Sequence, residues 1–254
     1  MSLEISNLSF SYNNGPKILK DISLTVRQGE ILGILGPNGT GKTTLIKCID
    51  HILPPDSGEV AFDGHNLALL TPKEIAKIMA YVPQYAGNFF TMRVVDTVMM
   101  GRLPYAGRQY SQQDKAIVFD ILRQMNLESL AFRSLNTMSG GERQRAFIAR
   151  ALAQQPQCII LDEPTSSLDL HNQLFILHTI ANLAKNRHIS VIMTIHDLNL
   201  ASMFCDKILM LKDTRIFACG EAQEVLTEAN IDAMYQVKTK VTVEDGCKHI
   251  RLLK

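Results

Sequence analysis

The run Gly36-Pro37-Asn38-Gly39-Thr40-Gly41-Lys42-Thr43 fits the pattern G-x-x-x-x-G-K-[ST]. It follows an apolar, strand-like run, Ile31-Leu32-Gly33-Ile34-Leu35, and precedes the helical-looking Thr44-Leu45-Ile46-Lys47-Cys48-Ile49. Strand, loop and helix in that order are what a phosphate-cradling loop requires. The glycines let the backbone curl so that successive N–H groups face one anion. Lys42 would reach the β- and γ-phosphates, and the Thr43 hydroxyl would hold Mg2+. The helix that opens there adds its positive end to the same spot. The pattern implies a nucleoside triphosphate as ligand.

At 254 residues the chain suffices for one large domain or two small ones. Its formal net charge of +1 advertises neither nucleic acid nor an anionic membrane surface as partner. No apolar stretch approaches the roughly 20 residues needed to cross a bilayer. The start, Met1-Ser2-Leu3-Glu4-Ile5, lacks a basic region followed by an apolar core, so no secretion signal is expected. The five cysteines are scattered without a C-x-x-C pair, and Cys48 and Cys158 lie in apolar runs, as buried structural thiols do. A reducing, cytoplasmic compartment is expected, with another chain doing any membrane spanning.

The first 35 residues alternate like strands, as in Leu8-Ser9-Phe10-Ser11-Tyr12 and Ile22-Ser23-Leu24-Thr25-Val26. A strand is expected at Glu59 to Phe62, and a short helix opened by Pro72 over 72–80. Helical periodicity dominates from about 88 to 155. Beyond it, Cys158-Ile159-Ile160-Leu161 and Ser190 to Ile195 have the continuous apolar look of parallel strands covered on both faces. Ile208 to Leu211 and Arg215 to Ala218 read as a closing hairpin. The expected fold is α/β: a phosphate-loop core with a mostly parallel sheet, an N-terminal antiparallel part and an inserted helical subdomain. The core lobe covers about 1–87 and 156–254, and the helical lobe about 88–155.

Two further constellations carry chemistry. Leu161-Asp162-Glu163 ends a buried strand, and in open α/β sheets ligands sit at the carboxyl ends of strands. Asp162 would bind Mg2+, directly or through water, and Glu163 would orient and deprotonate an attacking water. Alone, such a pair also serves as a helix cap. In Met138-Ser139-Gly140-Gly141-Glu142-Arg143-Gln144-Arg145, Ser139 and Glu142 form a capping box before a helix running toward Leu152. Two glycines in its first turn cost about 1 kcal/mol each against alanine. Exposed N–H groups facing a phosphate would justify them.

With these residues in place, the chain resembles the ATP-binding-cassette (ABC) ATPases over essentially its full length. Gly36 to Thr44 and Asp162-Glu163 match the Walker A and B motifs, and Ser139-Gly140-Gly141-Glu142 matches the signature motif. Gln84 matches the Q-loop, Ser167-Leu168-Asp169 the D-loop, His196 the switch histidine, and Tyr12 the aromatic that stacks on adenine. Met138 stands where Leu is usual, Glu142 replaces Gln, and Thr214 sits where Gly often closes the last hairpin.

The resemblance implies a head-to-tail homodimer. ATP bound by one subunit is closed over by Ser139, Gly140, Gly141, Glu142 and Asp169 of the other. Glu163 is then the general base, His196 contacts the γ-phosphate, and Gln84, with Thr43 and Asp162, attends Mg2+. The stretch Met100-Gly101-Arg102-Leu103-Pro104-Tyr105 and His196-Asp197-Leu198-Asn199 resemble the branch that energises uptake of iron–siderophores, haem or cobalamin. That implies separate membrane permease subunits, indirectly a substrate-binding protein, no nucleic acid, and a place at the cytoplasmic face of the membrane. An exporter ATPase, or a soluble cassette of iron–sulfur assembly, is the alternative. Phe89, Phe90, Met92, Val95, Met99 and Met100 are candidates for an apolar groove that receives a permease helix, although such spacing also marks core.

Overall fold

The computed structural model describes residues 1–84, 92–107, 109–166 and 168–253. In chain order it begins with β1 (Ser2–Ser11), β2 (Lys17–Arg27), β3 (Ile31–Leu35), α1 (Lys42–Ile49), β4 (Ser57–Phe62) and β5 (His65–Asn66). Then come α2 (Pro72–Ile78), β6 (Met79–Val82), α3 (Val94–Met99), α4 (Gln112–Gln124), α5 (Gly140–Ala153) and β7 (Cys158–Leu161). They are followed by α6 (Leu170–Arg187), β8 (Ser190–Thr194), α7 (Leu198–Phe204), β9 (Lys207–Lys212) and β10 (Arg215–Glu221). Last are α8 (Ala222–Val225), α9 (Glu228–Tyr235), β11 (Thr239–Glu244) and β12 (Cys247–Leu252). These elements form two units, Met1–Leu70 with His178–Lys254, and Thr71–Leu177.

In the first unit, β1 is flanked by β2 and β4 in an antiparallel sheet. Period-two alternation puts Leu3 beside Val26 and Phe62, and Ile5 beside Leu24 and Val60, all buried. This is the N-terminal antiparallel part expected from the sequence. β3 runs parallel to both β8 and β9, and all five of its residues are buried, as its unbroken apolar run requires. Cys48 and Cys158 are buried as expected, and burial pushes the Cys48 thiol up to about 12.

β9 and β10 form the anticipated hairpin. Its turn has positive φ at both Asp213 (47°) and Thr214 (68°), the two-residue form that matches strand twist. A β-branched residue is strained there, and the Thr214 carbonyl is held by the Lys20 N–H at 2.8 Å. The β11–β12 hairpin was not anticipated, although Asp245-Gly246 at its tip is a strong hairpin signal. Asn199 of α7 pins it, accepting from the Ile250 N–H at 2.7 Å and donating to the Ile250 carbonyl at 3.3 Å.

In the second unit, a Thr71–Glu74 capping box starts α2, which ends at Ile78 instead of 80. The next four residues are β6, which lies parallel to β7 and buries Met79, Ala80 and Val82. Pairing with β7 overrides the helical reading of residues 79 and 80, a tertiary effect that local pattern does not carry. Among the described residues between β6 and β7 there is no strand; α3 and α4 pack against α5.

The stretch Met100 to Tyr105 proves architectural. A Cβ on Gly101 would lie 2.1 Å from the Arg150 carbonyl oxygen, so only glycine admits that approach. Arg102 is buried; it binds Asp114 at 2.8 Å, the Ala153 carbonyl at 2.8 Å and Gln155 Oε1 at 2.8 Å. Its guanidinium also covers the Tyr105 ring at 4.2 Å. The Arg102 hydrogen bond, then those from Ser111, hold the Asp114 carboxyl down at about 2.

Two stability measurements follow from these features. Thr214→Gly is expected to stabilise the chain by about 1 kcal/mol, read as a rise of about 2–4 °C in Tm. Asp114→Asn strands the buried guanidinium and should cost about 3–5 kcal/mol in denaturant titration. Because the folded carboxyl lies below its ordinary 3.8, its contribution is present above about pH 4 and lost as pH falls through about 2. The variant should therefore lose less stability than the wild type across that acid window.

Candidate functional site

In the first unit, the loop from Gly36 to Gly41 links β3 to α1. Strand β3 delivers the chain to Gly36, where a Cβ would lie 2.5 Å from the Leu211 carbonyl oxygen. Gly41 caps α1 in the left-handed region, φ 99°, and Gly39 does the same at the loop's tip, φ 81°. Pro37 is half-buried, and Asn38 and Gly39 are exposed. The Lys42 side chain is buried and curls back, donating to the carbonyls of Gly36 at 2.8 Å and Pro37 at 3.0 Å. Thr40 Oγ1 closes the loop onto the Pro37 carbonyl at 2.9 Å. No acidic residue occupies the first turn of α1. Backbone N–H groups, an ammonium and that helix end together make an anion cradle.

Tyr12 belongs to the same unit; the residue is 46% exposed, with its ring edge-on to Phe10 and its hydroxyl 3.2 Å from Thr44 Oγ1. An aromatic face held beside the start of α1 suits a base attached to the cradled phosphates. His196 is exposed just beyond β8, and the next residue, Asp197, caps α7 through the N–H groups of Asn199 and Leu200.

The second unit brings Gln84 to Glu163. Val82 of β6 pairs with Leu161 of β7, and two residues beyond each lie Gln84 and Glu163. The Asp162 N–H bonds the Val82 carbonyl at 2.9 Å, fixing the register. Gln84 Nε2 donates to Glu163 Oε2, and Asp162, 3% exposed, accepts from the Tyr81 hydroxyl at 3.4 Å. Glu163 has φ 47°, a conformation costing of order 1–3 kcal/mol for a side-chain-bearing residue. Its carbonyl receives both the N–H and the hydroxyl of Ser166, at 3.1 and 3.0 Å.

The Ser139–Glu142 capping box is formed: Ser139 Oγ accepts from the Glu142 N–H, and Glu142 Oε2 accepts from the Ser139 N–H at 2.8 Å. That second bond holds the Glu142 carboxyl below its ordinary range. The two glycines differ. A Cβ on Gly140 would meet nothing within 4 Å, whereas one on Gly141 would lie 2.6 Å from Cγ of Asn172. Ser139 and Gly140 are exposed, Gly141 is buried, and Asp169 is exposed at the start of α6. The Asp169 carboxylate accepts from the Asn172 N–H, then from its amide, and sits below its ordinary value in consequence. Ser167 lies outside the described residues, as do Phe89 and Phe90. Met92, Val95, Met99 and Met100 are half-buried while Val94 and Val98 form core. Sequence reasoning missed Asn172; its place three residues after Asp169 was the available signal.

The sequence profile of the family described as ABC transporter matches residues 19–166. The chain belongs to the ABC transporter family. That match contains the phosphate loop, Gln84, the signature run and Asp162-Glu163. An uncharacterized ABC transporter ATP-binding protein of Methanocaldococcus jannaschii is 44% identical over 93% of this chain and 92% of its own length. A cobalamin import ATP-binding protein of Halobacterium salinarum is 35% identical over 95% of this chain, which spans 60% of that protein. A solved structure of a metal-chelate type ABC transporter, inward-facing, is 29% identical with a TM-score of 0.87. The overlap there covers 100% of this chain and 98% of that one. As a member of this family the chain is an ATP-binding cassette ATPase, with the α/β cassette fold.

Gly36→Ala is expected to unseat the phosphate loop. The added methyl meets backbone oxygen, which cannot swing aside, so stability should fall by about 1–3 kcal/mol and nucleotide affinity at least tenfold. Thermal melts and ATP titration check it; an unchanged ATP affinity would remove the steric role of Gly36.

Proposed function

We propose that this cassette is the ATP-hydrolysing subunit of an importer. It powers uptake of a metal chelate, of the iron–siderophore, haem or cobalamin type, through separate membrane permease subunits. The observation that carries this reading is the whole-length likeness to a metal-chelate type transporter. The relative named for cobalamin import supports it. None of the described helices is long and apolar enough to cross a membrane, which suits a subunit held by others at the cytoplasmic face. A substrate-binding protein would deliver the cargo to the permease.

In this reading the Gly36–Thr44 segment holds the ATP phosphates, with Lys42 as the counter-charge, and Tyr12 stacks on adenine. Thr43, Asp162 and the amide oxygen of Gln84 would hold Mg2+. All three are hard oxygen donors, and Gln84 already turns its nitrogen toward Glu163. Among the described residues no group of three or more His, Cys, Asp or Glu could bind a metal by itself, which fits an ion arriving with nucleotide phosphates. Bound Mg2+ supplies charge neutralisation at the phosphates.

Glu163 takes the proton of the attacking water, and Gln84 orients its carboxylate. His196 steadies the γ-phosphate. Ser139, Gly140, Gly141, Glu142 and Asp169 face the nucleotide of a second copy, so ATP joins two subunits and hydrolysis releases them. The exposed helix start at Ser139 and Gly140 is suited to that contact.

Glu163→Gln is expected to keep ATP binding while turnover falls by about 10²–10⁴, because the base is lost and the shape retained. Retention of half the wild-type rate would remove Glu163 from this role. The same variant, tagged and charged with ATP, should recover a polytopic permease from gently solubilised native membranes. Recovery of soluble proteins alone, with ATP binding intact, would overturn the importer reading.

A further inference from the structure

Two adjacent side chains of α6, Asn172 and Gln173, grip the segment between β7 and α6. Gln173 Nε2 donates to the carbonyls of Thr165 at 3.3 Å and Leu168 at 3.1 Å. Asn172 does more. Its backbone N–H reaches Asp169 Oδ1 at 2.8 Å, and its amide nitrogen reaches both Asp169 oxygens, at 3.0 and 2.9 Å. The same amide lies against Gly141, in the space a Cβ there would fill. One turn along, the Arg145 guanidinium sits over the Phe175 ring at 5.3 Å, repeating the α5–α6 contact at helical spacing.

The cap on α6 requires only the backbone N–H of residue 172, which any residue but proline supplies. The amide is surplus to capping. Stability does not account for it either, since Asp169 is exposed and such bonds contribute little against water. What the amide does accomplish is to tie Asp169 to the first turn of α5 within one subunit.

We infer that Asn172 is a positioning residue for ATP hydrolysis: it locks Asp169 and the Ser139–Gly141 turn into one body. The inference rests on the reading that both elements face the nucleotide of a second copy. Two groups presented to one partner must keep a fixed separation, and errors near 1 Å at such sites are costly in rate. Asn172 touches no reacting atom in this account; it acts through Asp169 and Gly141.

The test uses the full chain. Asn172→Leu keeps most of the volume and removes the amide. Asn172→Asp keeps the shape and sets a second carboxylate against Asp169. In a Glu163→Gln background, ATP-dependent dimer formation, followed by sedimentation, is expected to weaken about tenfold in both. With Glu163 intact, kcat should fall about tenfold. Monomer ATP affinity and Tm should stay near the parent's, a pattern that a merely structural residue would not produce. Dimerisation and kcat within twofold of the parent, in both variants, would overturn the inference. So would a loss of Tm and monomer ATP affinity in step with activity. Should the Leu variant fail to fold, the Asp variant decides. If the Glu163→Gln parent itself forms no ATP-dependent dimer, the sandwich reading fails, and kcat of the Asn172 variants against wild type judges the inference.

Discussion

Parallel strand pairing is the constraint on which the Gln84–Glu163 end of the second unit depends. Val82 lies beside Leu161, and each strand ends there. Two residues further on, Gln84 and Glu163 are brought side by side by register alone. Side chains alternate with period two, so a slip of one residue would turn each to the opposite face. The Asp162 N–H bond to Val82 guards against that slip. Glu163 then leaves the strand in a left-handed turn, held by Ser166 at its carbonyl. Strain of this kind persists only where neighbours over-determine it.

The first unit solves a different problem with the same element type. β3 is buried throughout and stops at Gly36, where the neighbouring backbone at Leu211 leaves no room for a side chain. The loop must therefore turn at once, and glycines at 39 and 41 accept the positive φ values that the turn imposes. The Lys42 ammonium donates to the loop's own carbonyls at Gly36 and Pro37. A buried ammonium needs such partners, and a phosphate would compete for it on favourable terms.

Much of the candidate site was legible before any coordinates. The phosphate loop, the Asp162-Glu163 pair and the Ser139–Glu142 box are local patterns, each encoded within a dozen residues. Their flanking strand and helices follow from continuous apolar runs and from capping chemistry. β6 was not legible, because four residues after a helix carry no period of their own and became a strand only through β7. The β11–β12 hairpin was legible in principle from Asp245-Gly246, a turn whose strands carry few buried residues to announce them. The two glycines of the signature turn looked alike in sequence. Only packing separates them, since Gly141 yields to Asn172 and Gly140 faces open space.

The stretch Met100 to Tyr105 illustrates the division of labour. As a string it resembles the metal-chelate branch. In the folded chain it is a buried guanidinium answered by Asp114, with a glycine that lets a carbonyl approach. Sequence by itself determined the family and located the candidate phosphate loop, because both depend on short runs with fixed spacing. Tertiary structure alone decided that Gln84 meets Glu163 and that Asn172 joins Asp169 to Gly141. Those contacts close over gaps of tens of residues, 79 between Gln84 and Glu163, and only strand register and helix packing can set such distances.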